Sequence, residues 1–320
     1  MKLDGRRKSN NIEDRRGQRT GGMGNIFGSS GGSGGGIVGL ILQMLFSKGG
    51  MKGGLLGLVA VGALIYFGLQ GGGGNVLGSL LGDGTLTGDG TQQQTEYVES
   101  PEEKELYEFS AKILAGTEDV WSAEFQKLGK TYRAPKLVIF NDAVTSGCGG
   151  ATSSTGPFYC SADQTVYLDL SFFLNMRKQL GADGDFAYAY VIAHEVGHHV
   201  QYLLGTLDQA HEVMAQYGND SKQANQVSVR LELQADFYAG LWAYHDNRMF
   251  GSLEDGDIEE ALDAAQKIGD DYLQKKARGY AVPDSFNHGT SEQRLRWLKK
   301  GLRTGDIQQG DTFTPAYQTL

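Results

Sequence analysis

The chain has 320 residues, a hydrophobic content of 40% and a formal net charge of −9. This length and composition are ordinary for one or two globular domains, and they exclude a chain too short or too polar to pack a core. The acidic balance also makes nucleic acid an unfavourable partner.

The first 52 residues differ from the rest in charge. They hold nine Lys or Arg against three acidic residues, a balance of +6 that leaves −15 for the remainder. No aromatic side chains are interleaved with the basic ones, so a nucleic-acid-binding arm is not favoured. Glycine clusters at 34–36 and 71–74 are typical of flexible linkers. We therefore expect the compact domain to lie downstream.

Residues 53–69 form an uncharged apolar run of 17 residues, close to the shortest helix that spans a bilayer. We predict a single transmembrane helix over 53–70, followed by a Gly/Gln-rich linker over 71–96. A buried core helix and a cleaved signal peptide are the alternatives. Because the basic charge precedes this run, the positive-inside rule places 1–52 in the cytoplasm and the remainder on the periplasmic side of a bacterial inner membrane. The shorter apolar run 37–46 is predicted to lie along the interface.

Two cysteines, Cys148 and Cys160, lie twelve residues apart in a stretch rich in Gly and Ser. In an oxidising compartment, a disulfide between them would pin this loop. In the cytosol they would be two unrelated thiols. The predicted location outside the cytoplasm favours the disulfide.

From residue 100 the pattern becomes that of an α+β domain. Ser100 and Pro101 are typical of a helix start, and this helix should run, with a break near Gly116, to about residue 128. Concentrated β-branched and aromatic residues predict strands at 136–140 and 165–170. The remainder is helical, with predicted helices at 171–180, 186–204, 207–217, 223–246, 257–277 and 291–301.

The segment HEVGHH, residues 194–199, lies within one of these helices. Residues four apart on a helix share a face, so His194 and His198 can bind one Zn²⁺ together. Glu195 lies beside them, where a carboxylate can take a proton from a zinc-activated water. His199 projects in another direction and is not expected to bind the metal. Chance occurrences of this short motif are common, so other segments of the chain have to decide whether it marks a zinc site.

The segment that supports a zinc site is ELQAD, on the predicted helix 223–246. A catalytic zinc needs a third protein ligand and an open fourth position, and Glu232 is placed to supply that ligand. Asp236, one turn later on the same face, can accept the N–H of a ligating histidine. Apolar neighbours indicate a buried helix, where acidic side chains need partners. A solvated helix face is the alternative for each acid alone.

The pairing of HEVGH with ELQAD resembles the gluzincin metallopeptidases. The chain as a whole is similar to the bacterial neutral zinc metallopeptidase family, and the likeness covers residues 1–305 and includes NHGTSEQR at 287–294 and Trp297. This resemblance implies a zincin-like metallopeptidase domain over 97–305, mainly helical with a small β-sheet, leaving 306–320 as a C-terminal tail. It implies zinc as cofactor, with these roles: ligands His194, His198 and Glu232, general base Glu195, and Asp236 as the partner of a ligating histidine.

Three further residues near these motifs have open roles. For His288 the resemblance suggests hydrogen bonding to the oxyanion, whereas a lone loop histidine is more often structural or solvated. Arg294 either orients that loop or pairs with an acid. Gly197, a costly residue within a helix, either permits close approach of a backbone or substrate to the metal, or packs against a neighbouring helix.

The sequence thus predicts a membrane-anchored zinc peptidase that acts on proteins or peptides. We expect the substrate to add as a strand along the sheet edge, with Thr165–Leu170 as that edge. The main alternative is a catalytically inactive, zinc-stabilised membrane scaffold or adaptor, although an intact Glu195 argues against it. The second is a basic-headed membrane protein associated with nucleic acid. Substrate identity and oligomeric state are left open.

Overall fold

The structure, a computed structural model, describes residues 1–18, 97–218 and 221–320. The described residues form a mainly helical α+β fold with a small sheet, which confirms the predicted class. The helices are α1 Pro101–Lys127, α2 Ser171–Asn175, α3 Asp185–Leu204, α4 Thr206–Tyr217, α5 Lys222–Phe250, α6 Asp257–Lys267, α7 Asp270–Arg278 and α8 Ser291–Thr304. The strands are β1 Ile12–Asp14, β2 Lys136–Phe140, β3 Ala143–Ser146, β4 Gly149–Thr152, β5 Phe158–Cys160 and β6 Thr165–Asp169.

The main sheet has the strand order β1-β2-β6-β5, and β3 pairs with β4 as a separate hairpin. β1, β2 and β6 run parallel, whereas β5 runs antiparallel to β6. β2 is apolar in four of its five residues because both of its faces are covered. Leu137 and Ile139 join the main helical core, while Val138 and Phe140 pack into a smaller cluster with the β3–β4 hairpin.

The predicted sheet edge at Thr165–Leu170 is wrong. β6 lies between β2 and β5 and makes backbone hydrogen bonds to both. A strand with two neighbours cannot accept a third chain. Within the described residues, β5 occupies the edge on that side of the sheet. β5 has only three residues, Phe158–Cys160, too few for the sequence pattern to mark as a strand.

Cys148 and Cys160 form a disulfide with an Sγ–Sγ distance of 2.06 Å. The bond joins the tip of the β3–β4 hairpin to the end of β5. Cys160 is fully buried in the smaller apolar cluster, whereas Cys148 lies exposed at the turn. The bridge therefore fixes the hairpin against the edge strand of the main sheet.

The predicted breaks between helices differ from the structure at two positions, each of them near a glycine. α1 continues without a break through Gly116, where a Cβ would lie 2.8 Å from Asp246 Oδ1 and 2.9 Å from Arg6 Nη2. That glycine makes room for an ion pair instead of ending the helix. The predicted helix 257–277 is two helices that separate near Gly269, where the backbone approaches Ser291 too closely for any side chain.

Residues 1–18 belong to the folded domain, in contrast to the predicted division at residue 52. Ile12–Asp14 pairs in parallel with Leu137–Ile139 and forms the outer strand of the main sheet. Nearby, the Arg6 guanidinium donates to both carboxylate oxygens of Asp246 at 2.7 and 3.3 Å. A three-residue strand of mostly charged character carries no apolar alternation, so the sequence pattern could not reveal it.

The predicted transmembrane helix 53–70, the linker 71–96 and the apolar run 37–46 lie outside the described residues, so they stay predictions. Among the residues that the structure does describe, no helix is both long and apolar enough to cross a membrane.

The predicted C-terminal tail, 306–320, packs against α5. The Arg230 guanidinium donates to the backbone carbonyls of Thr312, Phe313 and Pro315, and Thr312 Oγ1 donates back to the Arg230 carbonyl at 2.7 Å. The side chain of Leu320 is almost fully buried in the main core. This segment is therefore part of the domain and covers the helix that carries Glu232.

Candidate metal centre

Helices α3 and α5 bring the three predicted ligands together. His194 and His198 lie one turn apart on α3, and Glu232 faces both of them from α5. The Nε2 atom of His194 lies 3.1 Å from Glu232 Oε2, and that of His198 lies 3.5 Å from Glu232 Oε1. One ligand atom from each residue lies within 4.8 Å of the others. Two imidazoles and one carboxylate are the donor set of a catalytic zinc site with an open fourth position.

The close approach of the two helices depends on Gly197. A Cβ at this position would lie 3.1 Å from both the Cα and the carbonyl oxygen of Ala235. Of the two roles left open by the sequence, the structure supports packing against a neighbouring helix. Since Gly197 is adjacent to His198 and Ala235 lies three residues after Glu232, this contact fixes the spacing between the ligands of the two helices.

Asp236 is fully buried and makes the contact with His194 that the sequence predicted. Its Oδ1 atom lies 2.8 Å from His194 Nδ1 and also accepts from the Tyr190 hydroxyl at 2.6 Å. Burial raises the pKa of Asp236, but the charges of Arg294 and His194 outweigh that effect and lower it. The carboxylate therefore stays ionised and accepts the Nδ1 proton of His194, which directs the Nε2 atom towards Glu232.

Arg294 supplies the positive charge that balances Asp236. Its Nε donates to Asp236 Oδ2 and its Nη2 to Oδ1, both at 2.9 Å. The side chain is buried, which answers the question left open by the sequence in favour of pairing with an acid. Tyr190, which Arg294 also contacts, was not predicted. Its position four residues before His194, on the same helix face, is a signal that could have revealed it.

His288 lies in the loop before α8, held by an aspartate that the sequence pattern did not single out. Asp270, the first residue of α7, lies 3.2 Å from His288 Nδ1 through its Oδ1 atom. Its Oδ2 atom accepts the backbone N–H groups of residues 287, 288 and 289 at 2.7 to 3.0 Å. Burial lowers the pKa of His288, but Asp270 and Glu232 outweigh it and raise that pKa. These two carboxylates thus favour the protonated form of His288.

His199 lies outside the group of residues that could hold a metal, and it contacts other partners. Its Nε2 donates to the Arg133 carbonyl at 2.6 Å, so its Nδ1 accepts from the Tyr159 hydroxyl at 2.9 Å. Burial lowers the pKa of His199 to about 4, and the ring is neutral at physiological pH. This residue ties the ligand-bearing helix α3 to the edge strand β5.

The electrostatics of the centre suit a cation. Burial alone would lower the pKa of His194, but Asp236 and Glu232 outweigh it and raise that pKa to about 10. The carboxylates therefore favour positive charge between the two helices, and a divalent cation with nitrogen and oxygen ligands fits that requirement. Glu195 is nearly buried beside the ligands. Within the described residues, its carboxylate has no hydrogen bond to another side chain, so it is available for chemistry.

Similarity to known proteins extends over nearly the whole chain for one relative and over part of it for another. The uncharacterized protein YpfJ of Escherichia coli K12 is 47% identical over 317 residues, which is 98% of this chain and 99% of that protein. The uncharacterized protein Rv2575 of Mycobacterium tuberculosis H37Rv is 42% identical over 195 residues, 58% of this chain and 64% of its relative. No solved structure matches. The family model described as "Putative neutral zinc metallopeptidase" matches residues 1–313, and the chain belongs to that family.

Proposed function

We propose that this protein is a zinc-dependent peptidase that hydrolyses peptide bonds. The observation that supports it best is the position of Glu232, which faces His194 and His198 from a separate helix. With these three residues as the zinc ligands, Glu195 is not needed as a ligand. A structural zinc site is usually closed by four protein ligands and needs no base, whereas three ligands with a neighbouring carboxylate are typical of a hydrolase.

When bound, zinc supplies Lewis-acid chemistry: it lowers the pKa of a water molecule and polarises a carbonyl group. Glu195 accepts one proton from the attacking water, whose oxygen forms a bond to the carbonyl carbon of the substrate. The C–N bond then breaks, and Glu195 delivers the same proton to the leaving amine. His288, held by Asp270, donates a hydrogen bond to the carbonyl oxygen as negative charge develops there.

The edge strand β5 is the best candidate for holding the substrate. It has β6 as its neighbour on one side, and the bond from Tyr159 to His199 fixes it to the helix that carries the ligands. We propose that a substrate chain adds to β5 as a further strand, with its backbone hydrogen-bonded to the edge. This assignment replaces the sequence-based one at β6.

Membrane association through residues 53–70 is a separate proposal. Since β1 pairs with β2, a chain that enters a bilayer between residues 18 and 97 has to leave it on the same side. The predicted arrangement, with residues 1–52 in the cytoplasm and the domain outside, would place β1 and β2 on opposite sides of the bilayer. We propose that residues 1–18 share the compartment of the domain. The disulfide favours an oxidising compartment.

The peptidase proposal is tested with the purified full-length protein. We expect one zinc per chain by atomic spectrometry, cleavage of a peptide library by the wild type, and zinc retention with no cleavage by Glu195→Gln. Glu232→Ala should lower the zinc content. Glu212→Gln, the same change at an exposed position of α4, is the control and should cleave normally.

Two results would contradict the proposal. If Glu195→Gln cleaves peptides as well as the wild type, the assigned base is wrong. If the wild type binds zinc but cleaves no peptide, the inactive scaffold is the better description. If the wild type does cleave peptides, comparison of protein N-termini in membranes that contain wild type or Glu195→Gln would identify natural substrates.

A further inference from the structure

The second histidine ligand, His198, has a partner that no motif indicates. Its Nδ1 atom lies 2.9 Å from Oε1 of Gln201, which lies three residues later on α3 and is fully buried. The Nδ1 atom of His194 faces a carboxylate, so the two histidines of the site are held by different chemistry. The Gln201 side chain continues away from the centre towards α5.

The orientation of the Gln201 amide follows from its other contacts. Its second terminal atom lies 2.7 Å from the backbone carbonyl of Leu231, and a carbonyl only accepts hydrogen bonds. That atom must therefore be the NH₂ group. The oxygen of the same amide then faces His198, and an amide oxygen also only accepts. The Nδ1 atom of His198 consequently carries a proton, which leaves Nε2, on the side of Glu232, as the ring atom that can bind a metal.

A second amide, on Gln234 of α5, extends this arrangement to the C-terminal segment. Gln234 Oε1 accepts from Gln201 Nε2 at 3.1 Å, and Gln234 Nε2 donates to the Gly310 carbonyl at 2.9 Å. Gln234 is also buried. Every bond points the same way, from His198 through Gln201 and Gln234 to a backbone carbonyl. Because the carbonyls of Leu231 and Gly310 only accept, neither amide can flip without losing a bond.

We propose that Gln201 and Gln234 are positioning residues that hold His198 in its metal-binding tautomer, and that the segment around Gly310 anchors them. This inference rests on the proposed function, because it assumes that His198 binds zinc. Partners of this kind typically change metal affinity by about 10- to 100-fold when they are removed. The bonds of Arg230 to the same segment hold its carbonyls against α5.

The experiment compares two substitutions of Gln201 in the full-length protein, with zinc affinity measured by chelator competition. Gln201→Leu removes the acceptor for His198 and the donor to Leu231. Gln201→Glu removes the donor but keeps an acceptor. Both should lower the melting temperature of the zinc-free protein, since both leave the Leu231 carbonyl without its partner. Gln201→Leu should also raise the zinc dissociation constant about 10- to 100-fold, whereas Gln201→Glu should leave it close to wild type or lower it.

The control is Gln309→Leu, the same change at an exposed position next to Gly310, and it should alter neither quantity. A merely structural role for Gln201 predicts that both substitutions weaken zinc binding in proportion to the lost stability. That result, or wild-type affinity in Gln201→Leu, would overturn the inference. If Gln201→Leu does not fold, Gln234→Leu takes its place, since it leaves the bond to Leu231 intact and should still weaken zinc binding several-fold.

Long-range ¹⁵N NMR of the zinc-free protein gives an independent result. We expect neutral His198 to show the Nδ1-protonated tautomer in the wild type and a mixture in Gln201→Leu. The Nε2-protonated tautomer in the wild type would also overturn the inference. A wild-type protein that binds no zinc in the competition assay would instead refute the proposed function, so the two failures are distinguishable.

Discussion

Gly197 on α3 lies against Ala235 on α5, with less space between them than a methyl group at position 197 would need. Gly197→Ala would bring a Cβ within 3.1 Å of the Ala235 backbone, so the helices have to separate by a few tenths of an ångström. We expect weaker zinc binding with little loss of stability, because the helix propensity gained from alanine, about 1 kcal/mol, offsets the strain. Chelator competition and thermal unfolding of the zinc-free protein measure the two effects.

The double variant Gly197→Ala/Ala235→Gly provides the comparison for this prediction. It removes the Ala235 Cβ but leaves its Cα and carbonyl oxygen in place, so zinc affinity should recover only in part. Unchanged affinity in the single variant would mean that the helix spacing does not control the metal centre.

Removal of Arg294 should destabilise the domain. Arg294→Met leaves the fully buried Asp236 without the guanidinium that pairs with it, and loss of one partner of a buried ion pair costs about 3–5 kcal/mol. Arg294→Lys keeps the charge but not the two-pronged contact, so it should cost less. Urea denaturation measures both. Arg303→Met, at an exposed position of the same helix, should change stability by less than about 0.5 kcal/mol.

Asp270 should influence catalysis only through His288. We expect His288→Phe to lower kcat about 100-fold, with zinc retained and KM little changed, because a donor to the developing oxyanion is lost. Asp270→Ala should lower kcat as well, since the loop 287–289 loses its acceptor. In the double variant the two effects should not add. Additive effects would show that Asp270 acts on another part of the site.

Reduction of the disulfide should weaken the sheet at β5. A bridge between residues 12 apart closes a loop whose constraint stabilises a protein by about 3 kcal/mol. We expect urea denaturation with and without reductant to differ by that amount. The Cys148→Ser/Cys160→Ala variant should be insensitive to reductant. Two free thiols in the purified wild type by non-reducing mass spectrometry would contradict the assignment.

The shared compartment of residues 1–18 and the domain is testable by labelling. Asn10→Cys and Gln309→Cys introduce single free thiols at exposed positions, since the native cysteines are joined. A maleimide that cannot cross membranes should label both variants from the same side in intact cells. Labelling of Gln309→Cys alone would show that the N-terminal strand and the domain are separated by the bilayer.

Local helical geometry is enough to bring the predicted residues of the candidate metal centre together. His194 and His198 share a face in any α-helix, and Glu232 and Asp236 lie one turn apart on the next long helix. The prediction of these four residues depended only on regular helices and a buried environment. The same geometry points His199 in another direction, where it contacts Arg133 and Tyr159. Most helix positions followed likewise from apolar spacing and from capping residues such as Ser100.

The supporting residues could not be predicted in the same way. Asp270 contacts His288 across 18 positions of the chain, and Gln201 meets Gln234 across 33. No local pattern encodes such pairings, because they depend on how the helices pack. Two strands of the sheet were not predicted, for a related reason. The strands β1 and β5 have three residues each, so only their partners identify them as strands.

The bond between Gln234 and the Gly310 carbonyl has a consequence for the order of events in the cell. The ribosome makes His194, His198 and Glu232 well before it reaches residue 310. Until that residue has emerged and docked, Gln234 lacks the carbonyl to which its amide donates, although Leu231 is already present to orient Gln201. The hydrogen bonds that run from His198 to Gly310 are therefore expected to be complete only after the C-terminal segment has been made.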